Sequence, residues 1–252
     1  MNTHIWTQYF INNRNRFVEP PMPSNSSGLP DSVRVPLVRS LAIFQLGESG
    51  GGTRLMRYVR RVVNADQLAG YEHSVGLFIE EEQYHSRLLA GLVNYLGGEC
   101  LTKQWTNSIF RWLRNHFGVE FNIQVLLIAE LIAEAYFGSI YRKSSDKVLR
   151  ACSHKLLSDE MRHIAFHADF LRERLEGKPI WWQTLWRGQF RVIHLAACAV
   201  VAWDHRECFR AIGVTPLAFA RMALKAGSRF LRRLEKPHTL WRAQSAMPET
   251  AA

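Results

Sequence analysis

The sequence has few cysteines and no long hydrophobic run, and each shortage argues against a class of protein. Its four cysteines are scattered over 252 residues without the CxxC spacing of a zinc or redox motif, so neither a zinc knuckle nor a disulfide framework is indicated. The longest apolar run, residues 192–203, is interrupted by His194 and is too short to span a bilayer. The first residues lack the continuous apolar core of a signal peptide. We therefore expect a soluble cytoplasmic protein with no transmembrane segment.

Acidic residues are also in deficit. The chain has 32 Lys and Arg against 22 Asp and Glu, and residues 171–252 alone hold 14 basic against 6 acidic side chains. This surplus is compatible with an anionic substrate, an acidic carrier protein or a membrane surface, and equally with a solvated basic face that has no dedicated partner. No nucleic-acid-binding motif accompanies the charge, so we expect no nucleic-acid partner.

The apolar periodicity is helical nearly everywhere, and no alternating strand pattern competes with it. We predict an irregular N-terminal lead-in (residues 1–36), an all-α domain (37–236) and a flexible tail (237–252). The domain divides into a bundle core (about 37–175) and additional C-terminal helices (about 181–234). Helices are predicted for residues 37–63, 65–96, 105–117, 120–143, 146–175 and 181–212, followed by a basic amphipathic helix opened by Thr215 and Pro216.

The segment IEEEQYH places polar residues where a helix should be apolar. Glu82 and His85 are three residues apart and therefore share a helix face, and they fall in a seam that otherwise contains Val75, Phe78 and Leu89. Glu81, four residues before His85, is the rival partner. The seam places Glu80 and Glu81 beside it, towards the solvated flanks. A buried carboxylate and imidazole are therefore predicted on this helix.

The segment SDEMRHIAFH repeats the pattern with Glu160 and His163, again inside an apolar seam. The helix before each pair supplies one further buried glutamate. Glu48 precedes Glu82 by 34 residues, and Glu130 precedes Glu160 by 30. Antiparallel helices joined by a short turn bring residues with such separations to one height, so each hairpin offers two carboxylates and one imidazole to the core.

Four buried carboxylates need compensation, because an unpaired buried charge is very costly and would have to take up a proton. Two divalent cations would supply that compensation. Oxygen and nitrogen ligands without a thiolate suit iron or manganese. We therefore predict a dimetal site with two iron ions, while manganese or a mixed pair is left open.

A Glu followed by a Glu-x-x-His, twice over in a helical bundle, resembles the ferritin-like di-iron carboxylate proteins. The segments FQLGE, EEEQYH, AELIAEAYF and LLSDEMRHIAFH carry the resemblance, which covers about residues 37–175. It implies a ferritin-like four-helix bundle that activates dioxygen for oxidation or oxygenation of an unknown substrate, or that oxidises iron for storage. The ligand roles that it implies are terminal for Glu48 and Glu130, bridging for Glu82 and Glu160, and one metal each for His85 and His163.

Several alternatives stay open. Glu134 lies one turn beyond Glu130 and could replace it or add to it, although the spacing to Glu160 favours Glu130. His167 could be an extra ligand, a hydrogen-bond partner of one, or a satisfied core histidine. A redox role is conceivable for Tyr84, Tyr136 and Tyr141, but packing is the commoner role of a buried phenol.

Gly50, Gly51 and Gly52 directly after Glu48 conflict with a continuous helix, because glycine costs about 1 kcal/mol against alanine inside a helix. Either the helix breaks there, or the small residues leave room beside the metals, or they allow a close helix contact.

The function that these patterns favour is a di-iron oxidase or oxygenase, and we expect a homodimer in solution. The alternatives are an iron-handling ferroxidase and a bundle without metals that serves as an interaction module.

Overall fold

The structure is a computed structural model that describes residues 1–15, 22, 27–66, 70–106, 108 and 119–235. The helices in these residues are α1 (Thr3–Asn15), α2 (Asp31–Glu48), α3 (Thr53–Asp66), α4 (Tyr71–Tyr95), α5 (Val119–Lys143), α6 (Lys147–Leu175), α7 (Ile180–Asp204), α8 (Arg206–Ala211) and α9 (Pro216–Leu234). No strand occurs in the described residues, and the predicted all-α class is confirmed.

Two helix pairs form the central bundle. Helix α2 packs along α4, α5 packs along α6, and α4 contacts α6 across the bundle. Leucines at seam positions fill the interior, and Leu41, Leu89 and Leu156 have no exposed surface. This burial of apolar seams is what holds the polar residues of the same seams in the core.

The long first helix predicted for residues 37–63 is divided, with a break between Glu48 and Thr53. Gly52 lies in the break with a φ of 64°, a left-handed conformation that favours glycine. A Cβ atom at Gly52 would lie 2.5 Å from Cδ1 of Ile79 on α4, whereas one at Gly51 would meet nothing closer than 3.9 Å. The break and the close contact with α4 therefore both depend on Gly52.

The irregular lead-in predicted for residues 1–36 is wrong at both ends. Residues 3–15 form α1, and α2 already begins at Asp31. Helix α1 forms because Trp6 and Phe10, one turn apart, are buried together against the bundle. The Trp6 indole donates a hydrogen bond to Asp169 Oδ2 at 3.0 Å. Helix α1 also covers one flank of α4.

Of the C-terminal helices, α7 and α9 pack on α5, whereas α8 packs on α2. The helix predicted for residues 181–212 is divided into α7 and α8 by a turn at His205. The predicted start of α9 agrees with the structure, where the Thr215 side chain accepts a hydrogen bond from the Ala218 amide. The helix predicted for residues 105–117 lies mostly outside the described residues, and so does the tail 237–252.

Helix α5 is long and apolar enough to cross a membrane over residues 120–143, but 83% of its apolar 18-residue window is buried. Its apolar composition is therefore explained by its place between α6, α9 and α7. A core helix of a soluble bundle has these properties.

Candidate metal centre

The four central helices bring their acidic residues and histidines to one level of the bundle. Helix α4 contributes Glu82 and His85 from consecutive turns of one face, and α6 contributes Glu160 and His163 in the same way. Glu130 comes from α5, and Glu48 is the last residue of α2, directly before the break. Glu130, Glu160 and both histidines are buried, whereas Glu48 and Glu82 are partly buried.

Both histidines point Nδ1 towards the centre of the cluster. His163 Nδ1 lies 2.9 Å from Glu82 Oε1, 3.5 Å from Glu130 Oε2 and 3.6 Å from Glu160 Oε2. His85 Nδ1 lies 3.6 Å from Glu82 Oε1 and 3.6 Å from Glu160 Oε1. Two groups of three side chains could each hold a metal ion. The nearest ligand atoms of Glu82, His85 and His163 lie within 4.8 Å of one another, and so do those of Glu130, Glu160 and His163.

Glu48 belongs to the same cluster. Burial raises the pKa of its carboxyl well above the ordinary value, and the charges of Glu82, Glu160 and Glu130 raise it further. The Glu48 carboxyl also hydrogen-bonds Glu82 and lines the same cavity as Glu82 and Glu130, so the end of α2 delivers the fourth carboxylate to the cluster. The structure thus brings together all six predicted side chains.

The carboxylates of the cluster repel one another, and this repulsion and their burial shift the pKa values of the group. Burial and the Glu130 charge raise the pKa of Glu160 well above its usual value. Burial alone would lower the pKa of His163, but the charge of Glu82 and contacts with other carboxylates raise it well above the usual value. Burial favours a protonated Glu82, yet the adjacent His163 lowers the pKa of Glu82. Cations bound between these carboxylates would relieve their mutual repulsion.

Buried ligand atoms without hydrogen-bond partners test whether metals fit the site. Within the described part of the chain, three such atoms face the centre: His85 Nδ1, Glu160 Oε1 and Glu160 Oε2. Buried polar atoms are nearly always hydrogen-bonded, so this group of three indicates another partner. A set of carboxylate oxygens and imidazole nitrogens is suited to iron or manganese.

The outer nitrogens of the two histidines are held by carboxylates from the opposite hairpin. His85 Nε2 on α4 lies 3.0 Å from Asp159 Oδ2 on α6, and His163 Nε2 on α6 lies 3.2 Å from Glu81 Oε2 on α4. The Asn13 amide of α1 donates to both carboxylates, at 3.1 Å for Asp159 Oδ1. Such contacts fix the tautomer and orientation of a metal-binding histidine.

The expectation that Glu81 lies on a solvated flank is wrong. Its side chain is 4% exposed, because α1 covers this flank of α4, whereas Glu80 is exposed and pairs with Arg14. Sequence reasoning also missed Asp159. The available signal was an acidic residue directly before each of the two Glu-x-x-His motifs.

The two possible extra ligands lie in different surroundings. Glu134 is turned away from the cluster, and its Oε1 lies 2.5 Å from Nη2 of Arg229 on α9. His167 is fully buried one turn after His163, with Nε2 3.9 Å from Glu130 Oε1 and its ring 4.9 Å from that of Phe78. The structure therefore keeps His167 beside the cluster and Glu134 outside it.

A cavity of about 390 Å³ adjoins the carboxylates. Glu48, Glu82 and Glu130 line it on one side, and Gly50 and Gly52 of the helix break border it there. Most of the remaining wall is apolar: Ile43, Phe44, Leu55, Phe78, Ile79, Val125, Leu126, Ile128, Ile132, Ile193, Ala197 and Val201. The helix break therefore ends α2 at Glu48 and leaves space next to the Glu48 carboxylate.

No protein-family model matches the chain, and no curated protein matches it by sequence. A solved structure is similar: that of Protein 19 with aldehyde deformylating oxidase activity from Synechococcus, with a TM-score of 0.62 and 15% sequence identity. The similarity covers 85% of this chain and 96% of the other. At this identity the likeness concerns the fold. The chain therefore has the ferritin-like helical bundle fold that its two Glu-x-x-His motifs predicted.

Proposed function

We propose that the protein is a di-iron oxidase or oxygenase that uses dioxygen to oxidise an apolar substrate. The observation that carries the proposal is the set of buried ligand atoms without hydrogen-bond partners, which lies beside an apolar cavity. The oxidase activity named for the structurally similar Synechococcus protein supports the same class of reaction. Its substrate is not carried over to this chain.

The distances suggest how the six side chains would share two ions. Glu82 and Glu160 each approach both histidines, as bridging carboxylates would. Glu48 and Glu130 would be terminal ligands, and His85 and His163 would each bind one ion. Bound iron would supply the activation of dioxygen.

The rest of the chain would provide a fixed and largely dry environment. Asp159 and Glu81 hold the outer nitrogens of the histidines, so the ring orientations are set before a metal binds. The apolar wall of the cavity would exclude water from the reacting centre and accommodate the substrate.

Elemental analysis and oxygen consumption test this function. Protein loaded anaerobically with ferrous iron should hold two ions per chain and should consume dioxygen on exposure to air, with a change in its optical spectrum. Glu130→Gln should lose metal, whereas Glu134→Gln, one turn away and paired with Arg229, should keep it. Metal-free wild-type protein, or equal occupancy in the two variants, would refute the proposal.

Size-exclusion chromatography separates this enzyme from an iron store. A cage of many subunits that accumulates far more than two iron ions per chain would favour the ferroxidase alternative. The cytoplasmic location, the homodimer and an anionic or acidic partner at the basic C-terminal third remain predictions.

A further inference from the structure

His205 interrupts the apolar wall of the cavity. It belongs to a row of buried polar side chains that comprises His205, Ser40, Tyr136 and Cys208. Ser40 Oγ lies 2.6 Å from the Tyr136 hydroxyl and 2.7 Å from His205 Nδ1. Tyr136 in turn hydrogen-bonds Cys208 on α8. The row joins α2, α5 and the turn between α7 and α8, and the ligand cluster described above does not use it.

The row lies at a distance from the metal-site carboxylates. Ser40 precedes Glu48 by eight residues in α2, and Tyr136 follows Glu130 by six in α5. A helix rises about 1.5 Å per residue, so the row lies roughly 9 to 12 Å along the helices from the carboxylates. His205 and the carboxylates line the same cavity and therefore lie in separate parts of it.

The two ring nitrogens of His205 differ in their hydrogen bonding. Its Nδ1 is hydrogen-bonded to Ser40, and among the described residues its Nε2 has no hydrogen-bond partner. The side chain is only 4% exposed, yet its ring lines the cavity. Burial, and next the charge of Arg39, lower the pKa of His205 to about 4, so the imidazole is neutral at pH 7.

The hydrogen bonds of the row allow His205 Nε2 to be either a donor or an acceptor. If the Ser40 hydroxyl donates to Nδ1, then Nε2 carries the proton and is a donor. If Nδ1 carries the proton and donates to Ser40, then Nε2 is an acceptor. The hydroxyl of Tyr136 can likewise accept from Ser40 or donate to it, so both arrangements leave the row hydrogen-bonded.

We propose that His205 Nε2 binds a neutral oxygen, a hydroxyl or a carbonyl, at the end of an apolar substrate remote from the metal site. One polar group in an otherwise apolar wall fixes the orientation of a ligand, so this contact would determine which carbons face the metals. The identification of this ligand as the substrate rests on the proposed function.

A carboxylate is a poor fit at the same place. The neutral imidazole cannot compensate a buried negative charge. The nearby cation, Arg39, has a side chain that is 65% exposed and lies 3.6 Å from Glu207, so its charge is largely solvated and already paired. The site should therefore select alcohols, aldehydes or ketones over acids.

Competition of small probes with an apolar fluorescent dye tests the inference, using 1-octanol, octane and octanoate at neutral pH. His205→Leu should lower the octanol-to-octane affinity ratio by about tenfold, because the buried hydroxyl loses its partner. The matched control is His194→Leu, since His194 is a buried histidine of α7 whose pKa burial likewise lowers to about 4, but it contacts Gly227 and is not a cavity residue. An unchanged ratio in His205→Leu, an equal fall in His194→Leu, or tighter binding of octanoate than of octanol to the wild type would overturn the inference.

Nitrogen NMR of wild-type protein covers the case in which His205→Leu does not fold. Octanol should shift the Nε2 resonance of His205 and leave that of His194 in place, and no shift at His205 would also overturn the inference. Chelator-treated and iron-loaded protein are both titrated. A His205-dependent ratio in a protein that binds no metal would refute the proposed function alone, and normal iron loading with an unchanged ratio would refute the His205 contact alone.

Discussion

Neutralising Glu81 should weaken metal binding, although Glu81 is not itself one of the six predicted ligands. In Glu81→Gln the carboxylate that faces His163 Nε2 at 3.2 Å becomes an amide, which is a weaker acceptor and can present its NH₂ group instead. A hydrogen bond to a charged group contributes about 1.5–3 kcal/mol, which agrees with a loss of metal affinity of roughly 10- to 100-fold for such outer partners. We expect a loss in this range.

The neighbouring glutamate is the control. Glu80 is exposed and pairs with Arg14 on the surface, so Glu80→Gln removes the same charge from the same helix without touching a histidine. Competition with a chelator of known affinity, followed by the iron content of the protein, measures both variants. Equal affinities in Glu81→Gln and wild type would refute the reasoning, and so would an equal loss in Glu80→Gln, because the effect would then reflect net charge.

Two further predictions concern the helix break and the protons of the cluster. Gly52→Ala should destabilise the protein by roughly 2–5 kcal/mol, because it combines a left-handed backbone with a clash against Ile79, whereas Gly51→Ala should change the denaturation midpoint little. Chelator-treated protein should lose thermal stability as the pH rises above the ordinary pKa of a glutamate and then that of a histidine, because the raised pKa values of Glu160 and His163 mean that the folded chain binds protons that the unfolded chain has released. Iron-loaded protein should lack this decline, since the cations replace those protons, and parallel pH profiles for the two forms would contradict the assignment.

The bundle and the polar side chains that meet inside it could be predicted because helical periodicity is local. Glu82 and His85 stand out where the seam of a single helix requires leucines, and a one-helix argument is enough to place them in the core. The fold followed from the repetition of this motif at Glu160 and His163.

The outer shell of the site could not be derived in this way, since it depends on which helices cover which flanks. Glu81 is buried between His163 of α6 and the covering helix α1, and α1 lies in a segment that the sequence predicts to be irregular. The spacing of Trp6, Phe10 and Asn13 was the missed signal, since these residues lie on one face of α1. The partnership of Glu134 with Arg229 depends in the same way on the packing of α9.

The crossed support of the histidines makes the two halves of the site unequal. Lys155 pairs with Asp159 on one side, while on the other side Glu81 is held by the neutral amide of Asn13 as well as by His163. A carboxylate that shares its charge with an ammonium group polarises its imidazole less, so we expect His85 to be the poorer electron donor of the two. Two cations taken up as proposed would then enter in a preferred order. A protein given manganese before iron would then hold the two metals in different positions from a protein given iron before manganese.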